Sequence, residues 1–162
     1  MNEIRYDREA ALQYAREWAL SRNPRYGDFT AMGGDCTNFI SQCLYAGCGV
    51  MNYTPDIGWF YRSMSSRSAG WTGVQFLYNF VTLNKGAGPF GHEAELPQAE
   101  LGDIIQLSFD GQIWRHSLMV SSLGGDIGGI SVTTHDYDAY DRPLLSYNFK
   151  KCRLIHIDGA RK

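Results

Sequence analysis

The stretch Met32-Gly33-Gly34-Asp35-Cys36-Thr37-Asn38-Phe39-Ile40-Ser41-Gln42-Cys43-Leu44-Tyr45-Ala46-Gly47 decides how this sequence of 162 residues is read. Cys36, Phe39, Ile40, Cys43 and Leu44 recur at i, i+3, i+4, i+7 and i+8, the spacing of one helix face. Asn38, Ser41 and Gln42 fall on the other side. Gly34 or Asp35 suits the N-cap and Gly47 suits the position just past the end, so a helix is predicted from about Cys36 to Ala46. Cys36 then opens the helix, where unpaired amide N–H groups and the macrodipole stabilise negative charge. A thiol so placed is expected to ionise below the ~8.5 of a free thiol and to act as a nucleophile. Cys43 lies mid-helix without free amides and reads as core.

Outward from this helix, the first half of the chain reads helical and the second half as strands. Ala11, Tyr14, Ala15 and Trp18 recur at helical spacing between Asp7, a fair N-cap, and Leu20. Ser21-Arg22-Asn23-Pro24 stops that helix, because the residue before proline avoids helical angles. Residues 51–71 read as a long surface loop. Thr72 and Gln75 form a T-x-x-Q capping box for a third helix with Val74, Leu77, Tyr78 and Val81 on its apolar face, ending before Lys85-Gly86. Gly86 to Gln98 reads as loop. Ile104–Leu107, Ser117–Val120, Ile130–Thr133 and Cys152–Ile157 are short β-type runs between glycine turns. The expectation is one α+β domain over residues 1–162, with N-terminal helices packed on an antiparallel sheet.

Composition narrows the function. Fifteen basic against seventeen acidic residues, a formal charge of −2, lack the basic footprint of a nucleic-acid binder. No apolar run approaches the ~18 residues of a membrane span. The start, Met1-Asn2-Glu3-Ile4-Arg5-Tyr6-Asp7, lacks the order of a signal peptide, so the chain as it stands reads as cytoplasmic. Four cysteines at irregular spacing fit neither a disulfide framework nor a zinc motif.

A nucleophilic thiol needs a base, and the base needs an orienting group. His116 opens the run His116-Ser117-Leu118-Met119-Val120, whose alternation puts it on the face of Leu118 and Val120. If that face packs on the Cys36 helix, the imidazole arrives at the helix start. His135 and Asp136 compete to orient it: a carboxylate orients imidazolium better, whereas Ser131, Thr133 and His135 would form a polar line along a cleft. His92 and His156 read as structural.

Gly33 to Leu44 closely resembles the signature of a bacterial amidase domain family that groups with NlpC-like and CHAP-type members of the papain-like superfamily. The similarity runs on through Asn23-Pro24-Arg25-Tyr26, Trp59, Ser68-Ala69-Gly70-Trp71, Gly102-Asp103-Ile104-Ile105-Gln106 and His116-Ser117. The resemblance implies a cysteine hydrolase cleaving an amide bond through a thioester, with Cys36, His116 and His135 catalytic. It also implies that the Cys36 N–H and Tyr26 assist the oxyanion, with Asp35 and Thr37 beside the substrate. A peptide or cell-wall fragment is the implied substrate, and neither metal nor organic cofactor is required. An acyltransferase on the same site, or an idle module binding peptide or glycan through Tyr53, Trp59, Phe60, Tyr61 and Trp71, are the alternatives.

Overall fold

A computed structural model describes residues 1–162. It is α+β, with its helices gathered against one antiparallel sheet. The chain opens with β1 (Glu3–Ile4) and α1 (Arg8–Trp18), whose N-terminus is capped by the Asp7 carboxylate accepting from the Ala10 N–H. Next comes α2 (Cys36–Cys48), two residues longer than its pattern predicts. Gly47 does not end it; Gly49, in the left-handed region, does.

Residues 51–71 are not simple surface loop. Asn52 bridges Trp59, and β2 (Tyr61–Ser63) turns back on β3 (Ser66–Arg67) through the serine cluster. A single-turn α3 (Ala69–Thr72) follows, and both Trp59 and Trp71 are fully buried. Thr72 belongs to that turn, so the expected capping box is absent. Gly73 caps α4 (Val74–Leu83) instead, with no side-chain hydrogen bond.

The sheet is built from β4 (Gly88–Ala94), β5 (Ile104–Ser108), β6 (His116–Ser122), β7 (Ser131–Thr134), β8 (Ala139–Pro143) and β9 (Lys151–Arg161). Its order is β1-β9-β5-β6-β7-β8, with β4 also on β9, every pair antiparallel. Gly86 to Gln98, read as loop, contains β4, whose two glycines and proline mask its strand character. Gly91 is at a register shift where an added Cβ would stand 2.0 Å from the His156 carbonyl oxygen, so the strand needs glycine there.

Alternation divides the core. Ile104, Met119 and Ile155 share the face beneath the helices with Phe39, Ile40, Cys43 and Leu77. Ile105, Leu118 and Leu154 point the other way, with Val120, Ile130, Val132 and Leu144. The helices therefore lie on the Ser117/Met119 face of β6, opposite to the Leu118/Val120 face expected to meet them. Thr37 Oγ1 and Ser117 Oγ, 2.9 Å apart, join α2 to that strand.

Candidate active site

Helix α2 is buried on its polar side as well as its apolar stripe. Ser41 Oγ accepts from Trp59 Nε1 and donates to the Trp71 carbonyl, while Asn38 accepts from Trp71 Nε1 and donates to the Gly27 carbonyl. With each buried polar group paired, the helix is held from all sides and its N-terminus has a fixed address.

That address is the end of the sheet where β6 begins and β7 ends. Cys36 Sγ, a His116 ring nitrogen and an Asp136 carboxylate oxygen all lie within 4.8 Å of one another there. Cys36 and His116 are 4% and 7% exposed, and no direct hydrogen bond joins them. Asp136 lies two residues past the end of β7, in the turn that follows Thr134, and its left-handed backbone (φ 61°) turns the carboxylate toward the start of β6 and of α2. Asp136 also caps α2: one carboxylate oxygen accepts from the Asp35 N–H at 2.7 Å and the other from the Cys36 N–H at 3.2 Å. Gly34, at φ +115°, leaves room for it, since a Cβ there would sit 2.5 Å from Asp136 Oδ2.

The electrostatics reverse the expectation of a ready thiolate. Burial pushes the Cys36 thiol up to about 12, and the Asp136 charge adds to the rise against a backbone hydrogen bond from Ser117. Burial drives the His116 imidazole down to about 4, with Asp136 opposing and Arg142 reinforcing the fall. The helix start still attracts an anion, but Asp136 already supplies it. Both shifts favour neutral thiol and neutral imidazole over thiolate and imidazolium at rest.

The other expected site residues go elsewhere. His135 does not face His116. Its Nδ1 meets Asp35 Oδ2 at 2.6 Å, its Nε2 meets the Trp18 carbonyl at 2.8 Å, and its ring stacks on Phe39. The Trp18 carbonyl can only accept, so Nε2 donates to it, and both ring nitrogens are engaged inside the fold. Asp35 is likewise spent inside the fold, accepting from the Phe29 N–H and Asn38 and facing Arg22 Nε at 3.4 Å. Thr37 is buried against Ser117. Tyr26 packs on Tyr61 and Trp71, in the cluster that Asn38 joins through Gly27 and Trp71. Asn38 is two residues along α2 from Cys36, roughly 200° around the helix, so that cluster is on its far side. Phe109 and Tyr147 are the aromatic neighbours of the His116 ring, at 6.5 and 5.8 Å between centroids.

Residues 5–157 match the family described as "Putative amidase domain". The chain is also 32% identical over 137 residues to "Uncharacterized protein YhbB" of Bacillus subtilis (strain 168). That alignment takes in 82% of this chain but 43% of the relative, so the chain spans less than half of that protein's length. No solved structure matches it.

Proposed function

This chain belongs to the putative amidase domain family, and from that premise we propose that it hydrolyses an amide bond with Cys36 as nucleophile and His116 as base. The observation that supports this most is the meeting of thiol, imidazole and carboxylate at the start of a buried helix. Substrate binding brings the carbonyl carbon to Sγ. His116 takes the thiol proton as sulfur attacks, so no free thiolate has to exist beforehand. The C–N bond breaks, the amine leaves with the proton from His116, and a thioester remains on Cys36. Water, deprotonated by His116, then hydrolyses it.

Asp136 lies on the same side of the imidazole as the sulfur. It serves as the countercharge to the imidazolium that forms during attack, in place of the role first given to His135. Its hold on the Cys36 N–H is long, and a substrate carbonyl that displaces it gains that N–H as an oxyanion donor. The papain-like kinship and a peptide substrate of cell-wall type follow the resemblance of the Gly33–Leu44 signature.

The test is mass spectrometry of cell-wall stem peptides after incubation with the protein. New amine and carboxylate termini are expected with the wild type and none with Cys36→Ala. His116→Ala should lower turnover by ~10²–10⁴. Cleavage that persists in Cys36→Ala would remove the thiol from the chemistry. Iodoacetamide labelling adds a second measure: Cys36 should react more slowly than the half-buried Cys152, and Asp136→Asn should accelerate it by removing a charge that opposes the thiolate.

A further inference from the structure

The three groups at the site form a triangle, not a line. In a proton relay the nucleophile and the orienting carboxylate engage opposite nitrogens of the imidazole, and the ring holds them apart. Here a single imidazole nitrogen, the sulfur and one carboxylate oxygen are mutually within 4.8 Å. Such convergence of three different donors on one point is the arrangement of a chelate.

We propose that Cys36, His116 and Asp136 form a binding site for one thiophilic divalent cation of the zinc class, and that the bound ion silences the thiol. Ligand atoms around tetrahedral zinc stand about 3.3–3.7 Å apart, given metal–ligand bonds of about 2.0–2.3 Å. The trio, mutually within 4.8 Å, therefore needs to close by at most about 1.5 Å, a side-chain adjustment. Sulfur with imidazole selects zinc over magnesium or calcium, which prefer all-oxygen shells. A thiolate and a carboxylate cancel the charge of the divalent ion, so the buried assembly is neutral overall, which offsets the cost of placing an ion there.

The backbone is prepared for it. The three ligands come from a helix start, a strand start and the turn after the neighbouring strand, and the amides of Asp35 and Cys36 fix the Asp136 carboxylate. Each oxygen accepts one amide hydrogen and keeps a further lone pair that can take a cation. Three protein ligands leave the fourth position open to water or a small ligand. The ion replaces the thiol proton and occupies the sulfur lone pair needed for attack. Binding stands on geometry alone; only the silencing rests on the hydrolase reading.

Cobalt(II) is the probe, titrated without oxygen into the full chain after chelator treatment, with thiolate-to-cobalt charge transfer followed in the near ultraviolet. A band saturating at one ion per chain is expected, displaced by zinc and indifferent to magnesium. Cys36→Ser should abolish it, Cys152→Ser should keep it, and Asp136→Asn, which keeps one of the two cap acceptors and loses the anionic ligand, should weaken binding tenfold or more. No saturable band, or a band that survives Cys36→Ser, overturns the site. On any amide substrate, chelator-treated protein should turn over and one equivalent of zinc should stop it; turnover that depends on added zinc overturns the silencing. A complete cobalt site in a protein without hydrolase activity supports the site and counts against the hydrolase reading alone.

Discussion

Burial outweighs the helix start at Cys36, and this sets the pH dependence. A base must be unprotonated, and His116 remains so down to about pH 4 because its burial disfavours the charged form. The acid limb of kcat/KM should therefore lie near pH 4. Activity falls as pH drops through that value, and no limb appears near 6.5. Since Asp136 raises the His116 pKa, Asp136→Asn should move the limb lower still. A limb near 6.5 in the wild type would show an imidazole open to solvent. His135 is a different case, buried and hydrogen-bonded to Asp35 and to the Trp18 carbonyl. His135→Ala takes one hydrogen-bond partner from that buried carboxylate and removes the ring stacked on Phe39, so it should cost about 1–3 kcal/mol in urea unfolding. A loss of turnover at unchanged stability would instead place His135 in the chemistry.

Among the elements, α2 was legible because its apolar spacing and Cys36 at its start need only local rules. Its end was not. Gly47 and Gly49 both satisfy the C-terminal glycine rule, and what separates them is a tertiary contact: Gly47 lies against Tyr6, 2.3 Å from where its Cβ would be. Gly47→Ala should destabilise by about 1–3 kcal/mol through overpacking, lowering Tm, while the folded fraction keeps its activity. An unchanged Tm would mean Tyr6 moves aside freely. Strands β5, β6, β7 and β9 were legible from short apolar runs set between turns. Strand β4 was hidden by Gly88, Pro89 and Gly91, β1 has only two residues, and β8 is an edge strand whose Asp141, Arg142 and Pro143 carry no apolar alternation. The choice between His135 and Asp136 also lay beyond local pattern. Alternation along one strand says which residues share a face, but β7 ends at Thr134 and the left-handed turn at Asp136 selects the partner of His116, which alternation does not foresee.

At the scale of the molecule, the site depends on the helices keeping a fixed position over the sheet, and Arg8 is one of the fastenings. From the first turn of α1 its guanidinium donates to the Leu101 carbonyl, to Asp103 Oδ1 at 2.7 Å and to the Ile157 carbonyl. It thereby joins the helix to the turn before β5 and to β9. Asp103 is fully buried and also accepts from the Ile157 and Glu100 N–H groups and pairs with His156 Nδ1. Removing Arg8 leaves a buried carboxylate short of a cation, so Arg8→Met should cost about 3 kcal/mol even though the methionine keeps much of the packing. Asp103→Asn alone should also destabilise, by stranding Arg8 near the sheet. Because each change removes the reason for the other's penalty, the double variant should cost less than the two summed, by about 1–3 kcal/mol. A double-mutant cycle in urea measures this directly. Additivity within about 0.5 kcal/mol would mean that the pair does not couple helix to sheet, and that α2 and the apolar core beneath it hold the layers together unaided.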